Sequence, residues 1–98
     1  MPRKKLRFHP KALEEAETAH RWYAVRNRVA AQSFLSELDH SVGRVAESPE
    51  RWPKYGRGAR RYVFPRFPFS LIYRIKGGTV EVVAIAHHKR KPGYWRYR

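Results

Sequence analysis

Gly77-Gly78 restricts the possible folds of this chain more than any other pair of residues. On either side lies a run rich in β-branched and aromatic residues, Phe69 to Lys76 (FSLIYRIK) and Thr79 to His87 (TVEVVAIAH). A two-glycine loop between such runs closes a tight antiparallel hairpin. Counting outward from the loop sets the pairing: Ile75 faces Val80, Tyr73 faces Val82, Leu71 faces Ala84 and Phe69 faces Ala86. That face is wholly apolar and needs a cover. The opposite face carries Arg74 across from Glu81, Ile72 across from Val83 and Ser70 across from Ile85, with His87 at the rim. A slip of one residue would turn the apolar set toward water, so the register is well specified. The expected sheet has a buried side and a working side.

The first half of the chain supplies the cover. Lys5 to Phe8 alternates basic and apolar residues as a short first strand. His9-Pro10 opens a helix, because proline suits the first helical position, and Glu14, Glu15 and Glu17 lie toward its positive end. Ala12, Leu13, Ala16, Ala19, His20 and Tyr23 recur at helical spacing down to about Val25, a stripe small enough for close packing. Arg26-Asn27-Arg28 forms a turn. Ala31, Leu35, Leu38, Val42 and Val45, widened by Phe34, mark a second helix that Ser48-Pro49 ends. Glu50 to Gly58 is a loop anchored by Trp52 and Tyr55, Arg60 to Phe64 is a strand stopped by Pro65, and residues 88–98 form a basic, aromatic tail. With 98 residues the chain can build one core. It reads as a single α+β domain over 1–98, a two-helix hairpin on one face of a twisted, mainly antiparallel four-stranded sheet, in the order βααβββ.

Charge is distributed unevenly along this framework. Residues 1–50 hold nine Lys/Arg against seven Asp/Glu, whereas residues 51–98 hold thirteen against Glu81 alone. The second half therefore carries most of the net charge of +14, and such a field draws polyanions, either nucleic acid or an acidic protein. The absence of cysteine removes disulfides and thiolate metal sites. No apolar run approaches the roughly 20 residues of a membrane span, and the start MPRKKLRF lacks the apolar stretch of a secretory signal. The expected compartment is the cytoplasm.

Few reactions fit these residues. The acids are mostly helical, the histidines are scattered apart from His87-His88, and no phosphate-loop or dinucleotide fingerprint is present. No metal and no cofactor is expected. What remains is a basic sheet face with aromatic neighbours. Arg61 and Arg74 can stabilise charge on an attacked phosphodiester, and His87 or Tyr94 can move a proton. Lys89, Arg90 and Lys91 can hold phosphates, while Trp95 offers a stacking surface. Structural roles compete with these: Arg74 can pair with Glu81 across the hairpin, and Trp52, Tyr55 and Trp95 can serve as core caps.

The segments FHPKALEEAETAHRWY, SPERWPKYG, RRYVFPRFPFSLIYRI and VEVVAIAHHKRKPGYW, in this order and spacing, resemble the RelE/ParE family of toxins from bacterial type II toxin–antitoxin modules, often labelled plasmid stabilisation proteins. The likeness runs from about Leu6 to Trp95. It implies the RelE-like fold, growth inhibition and a cognate antitoxin, acidic and partly disordered, that wraps the toxin in a hetero-oligomer. RelE-like members are metal-independent endonucleases that cut ribosome-bound mRNA, and ParE-like members act on DNA gyrase. The nuclease pattern is met in part. Arg61 fits the basic position of the second strand, but Val63 and Ser70 stand where further basic groups are expected, with Arg74 four residues on. Lys89 or Arg90 and Tyr94 match the end of the pattern, while AHHKR is closer to the ParE side. The competing reading from another class is a non-toxic, basic nucleic-acid-binding or ribosome-associated module.

Overall fold

The computed structural model describes residues 4–98; Met1 to Arg3, the first part of the basic start, lie outside them. The chain runs β1 (Lys5–Phe8), α1 (Pro10–Ala24), α2 (Arg28–Glu47), β2 (Arg60–Val63), β3 (Phe69–Lys76) and β4 (Thr79–His87). The sheet order is β1-β4-β3-β2, with β1 parallel to β4 and the other pairs antiparallel. The expected α+β architecture is thus present.

Local chemistry explains the helix ends. Pro10 occupies the start of α1, where a missing N–H costs nothing, and the Nδ1 of His9 accepts from the Lys11 N–H at 3.0 Å. Asn27 caps α2 in the same way, its Oδ1 accepting from the Ala30 N–H at 3.1 Å. The first turn of α1 holds no acid, which corrects the expectation that Glu14, Glu15 and Glu17 serve its dipole.

The core between helices and sheet is built on Ala12, Ala16 and Ala19 of α1, Phe34 and Val45 of α2, and Phe69, Leu71, Tyr73, Val80, Val82 and Ile85 of the sheet. The small residues on α1 let the helix approach closely. Phe34 is fully buried and meets Tyr23, Phe64, Phe67 and Phe69 at ring separations of 5.4 to 6.1 Å. The helical stripes differ from the expected ones: Leu13 and Leu35 are exposed, and Glu37 and Ser41 are buried. Glu37 has a reason to be inside. Its carboxylate accepts from the backbone N–H groups of Arg66 and Phe67 at 2.8 and 3.2 Å and from the Arg66 Nε–H at 3.2 Å, satisfying the turn between β2 and β3. A charge that meets three donors is stable at that depth.

The hairpin is as expected at its tip and different at its base. Lys76 pairs with Thr79 across Gly77-Gly78, and Ile75, Arg74 and Tyr73 face Val80, Glu81 and Val82. The register then shifts by one, so Ile72 faces Ala84, Leu71 faces Ile85, Ser70 faces Ala86 and Phe69 faces His87. Val83 is the extra residue of a β-bulge. Beyond it the alternation of β4 is inverted: Ile85 joins the helix-side core, and Val83 and Ala84 join a second cluster with Ala59, Ile72 and Trp95. The pairings of Leu71 with Ala84, Phe69 with Ala86, Ile72 with Val83 and Ser70 with Ile85 are therefore corrected. The sheet is buried on both faces over much of its length, which is why β4 reads as a continuous apolar run.

Candidate functional site

The segment after β4 folds back instead of trailing into solvent as a tail. Trp95 is 4% exposed and packs on Ile72, Val83 and Ala84. Two polar clamps hold the segment down. Arg74 donates to the backbone oxygens of Arg98 at 2.7 Å and Arg96 at 3.0 Å. Glu15 forms the other clamp: its carboxylate accepts from the Tyr94 hydroxyl at 2.7 Å, from both Arg98 nitrogens at 2.8 and 3.0 Å, and from the Ile85 N–H at 3.0 Å. Arg98 also donates to the Val83 carbonyl at 3.0 Å. Since β1 pairs with β4 only as far as Val82, these two side chains satisfy backbone groups on the stretch of β4 that β1 does not reach.

Of the residues proposed from sequence as catalytic, Arg61, His87 and Tyr94 come to one cleft and Arg74 does not, and the fold engages several of their polar groups elsewhere. Arg74 has its guanidinium occupied by the clamp. Its register partner Glu81 pairs instead with Arg7 at 3.4 Å and Lys76 at 3.7 Å, so the expected cross-hairpin ion pair is corrected. Tyr94 has its hydroxyl on Glu15, and burial together with that carboxylate raises its pKa far above the ordinary phenol range. His87 is turned by the bulge toward the helix side, where its ring meets Phe69 edge to face at 5.0 Å. Burial, Lys89 and His88 all lower its pKa, and its Nδ1 accepts from the Lys89 N–H at 3.0 Å. The common face expected for Arg74 and His87 is therefore corrected too.

Arg61 remains at a site, with new neighbours. It lines a cleft of about 340 Å³ together with Tyr55, Ser70, His88, Arg90 and Lys91, with His87 at its rim and Trp95 and Tyr94 as apolar wall. Its guanidinium lies 4.4 Å from the Tyr55 ring centre, and that of Arg90 lies 3.8 Å from Tyr94. The Ser70 hydroxyl, at a 3% exposed residue, is 3.1 Å from His88 Nε2. Sequence reasoning passed over Ser70 and His88 as a pair because only the bulge brings them to one side. Lys89 lies outside this cleft and lines a groove of about 630 Å³ on the helix side, with Lys11, Glu14, Trp22, Tyr23, Phe69 and His87. Trp22 is 54% exposed there. Among the described residues no three His, Asp or Glu come together in the manner of a metal site.

The two-helix hairpin on a four-stranded sheet is a fold that two solved structures share. One is the chromosomal ParDE toxin–antitoxin system from P. aeruginosa, 20% identical, covering 86% of this chain and 95% of that one at a TM-score of 0.76. The other is the RelBE2 toxin–antitoxin complex from Mycobacterium tuberculosis, 20% identical, covering 88% and 99% at a TM-score of 0.60. At this identity they speak to the fold. A comparison with curated proteins gives no match. The family model for the ParE toxin of the type II toxin–antitoxin system parDE matches residues 6–92, and the chain belongs to that family. The match ends before Trp95 and Arg98, so the clamp is a feature read from this chain's own residues.

Proposed function

We propose that the chain arrests growth by acting on DNA gyrase, not by cutting ribosome-bound mRNA, and that a cognate antitoxin neutralises it. The observation that carries this reading is that the fold commits most of the would-be catalytic groups to structural contacts. General acid–base cleavage needs its acid and base within hydrogen-bond reach of one phosphate. Arg74 and Tyr94 instead hold the C-terminal segment, and His87 faces the helices. A toxin with this layout works by occupying a partner's surface. The one-sided charge of the second half favours an acidic partner segment, and the groove beside Trp22 offers an apolar anchor with Lys11 and Lys89 at its border. Among the described residues no helix is long and apolar enough to cross a membrane, and the cytoplasm, where gyrase works, is the proposed site of action.

Controlled expression tests the reading. Growth stops, cells show DNA breaks with intact transcripts, and co-expression of the adjacent small gene restores growth. Harmless expression would select the second reading, a basic nucleic-acid-binding module, which the cleft around Arg61 favours.

A further inference from the structure

The proposed action on gyrase leaves the cleft between β2, the end of β4 and the clamped segment without a role. Arg61, His88, Arg90 and Lys91 surround it, and among the described residues that line it none is acidic. None of the four makes an ion pair among the described residues. Gathering cations with no counter-charge works against the empty fold and favours a bound anion. Two further features narrow the ligand. The guanidinium groups of Arg61 and Arg90 lie over the rings of Tyr55 and Tyr94, contacts that restrain each side chain while its N–H donors can still meet a phosphate. The imidazole of His88 is tethered by a buried hydroxyl, that of Ser70, so its position is built into the sheet. A cleft of about 340 Å³ with apolar walls suits a ligand that joins one phosphate to one flat ring system.

We propose that this cleft binds a nucleoside monophosphate. The phosphate lies among Arg61, His88 and Lys91, and the base rests on one of the two guanidinium–ring stacks. Binding is read by calorimetry on the full chain with four probes: 5′-AMP, adenosine, inorganic phosphate and a 5′-phosphorylated single-stranded pentanucleotide. The proposal expects 5′-AMP to bind at least about tenfold more tightly than either adenosine or phosphate, since each good charge-assisted hydrogen bond is worth about that factor. It also expects Arg61→Ala and His88→Ala each to weaken 5′-AMP by about tenfold in chains that melting curves show to be folded. Lys91 is exposed, so Lys91→Ala, expected to weaken 5′-AMP severalfold, keeps the test decisive if either of the others misfolds. The proposal is overturned if phosphate binds as tightly as 5′-AMP, if folded variants bind 5′-AMP like the parent, or if the pentanucleotide binds more than about tenfold tighter, which would make the ligand a strand.

Discussion

Glu15 shows how much one side chain can organise. It lies on α1 beside the buried Ala16, and its four hydrogen bonds reach partners 70 to 83 positions further along the chain. Its carboxylate and Arg98 are each only 16% exposed, so removing one partner leaves a poorly solvated charge behind. Glu15→Gln keeps the shape and loses the charge. It should cost about 2 kcal/mol, or roughly 10 °C in melting temperature for a domain of this size, measured by thermal denaturation. Tyr73 gives a second test. Burial pushes its phenol up to about 12, with Arg60 pulling the other way, and the hydroxyl donates to the Pro49 carbonyl. A phenol whose folded pKa exceeds its unfolded value of about 10 favours the protonated native state. The stabilisation is complete below pH 10 and disappears as the pH rises through 12, so stability should fall across that window. Tyr73→Phe should be less stable near pH 8 and decline less steeply above pH 10, as followed by denaturant titrations. Neither residue's role could be read in the sequence. Helical spacing for Glu15 and strand alternation for Tyr73 fix a face, but they say nothing about partners brought in by the fold.

The hairpin β3–β4 was legible where local rules decide and opaque where they do not. Gly77 has φ +59° and Gly78 does not share a positive φ, as in a turn that needs left-handed backbone at its first central position only. Gly77→Ala should therefore cost about 1 kcal/mol while Gly78→Ala is tolerated, a difference that paired melting curves will reveal. The pairing next to this turn follows from counting. The bulge at Val83 does not, because a period-two reading has no way to place an extra residue in one strand, and from there on every inward and outward assignment is reversed. The adjacent apolar pairs Val82-Val83 and Ala84-Ile85 were the available signal: a strand buried on both faces has no polar side to mark its phase. The helices tell a similar story. α1 and α2 appear where periodicity and capping residues put them, but Leu35, expected inside, is exposed, and Glu37 is buried because its donors belong to a turn near residue 66. The exposed Trp22 of α1 provides the element's own test. If the groove beside it receives the antitoxin, Trp22→Ala should weaken neutralisation by about tenfold, measured as complex affinity, without altering the melting temperature of the free chain.

At the level of the whole chain, the order of six elements, the family and the uneven charge were all visible before any coordinates. The candidate site was visible only in composition. Arg61, Arg90 and Lys91 do border one cleft, with Tyr94 in its wall and His87 at its rim, but the folding back of residues 93–98 ties the Tyr94 hydroxyl to Glu15 and takes Arg74 away to the backbone of Arg96 and Arg98. A chain that ends in aromatic and basic residues gives little sign that Trp95 will seal a sheet and that Arg98 will stand in for a missing stretch of strand. On the proposed reading that closure makes the chain a binding protein and not a nuclease, because it commits Arg74 and Tyr94 to structural contacts. The most direct check uses purified components: DNA gyrase, relaxed plasmid and ATP in one reaction, a translating extract with a defined mRNA in another, each with and without the chain. We expect supercoiling to stop and cleaved plasmid to accumulate while the mRNA stays whole. Cleavage of the mRNA with unimpaired gyrase would contradict the account.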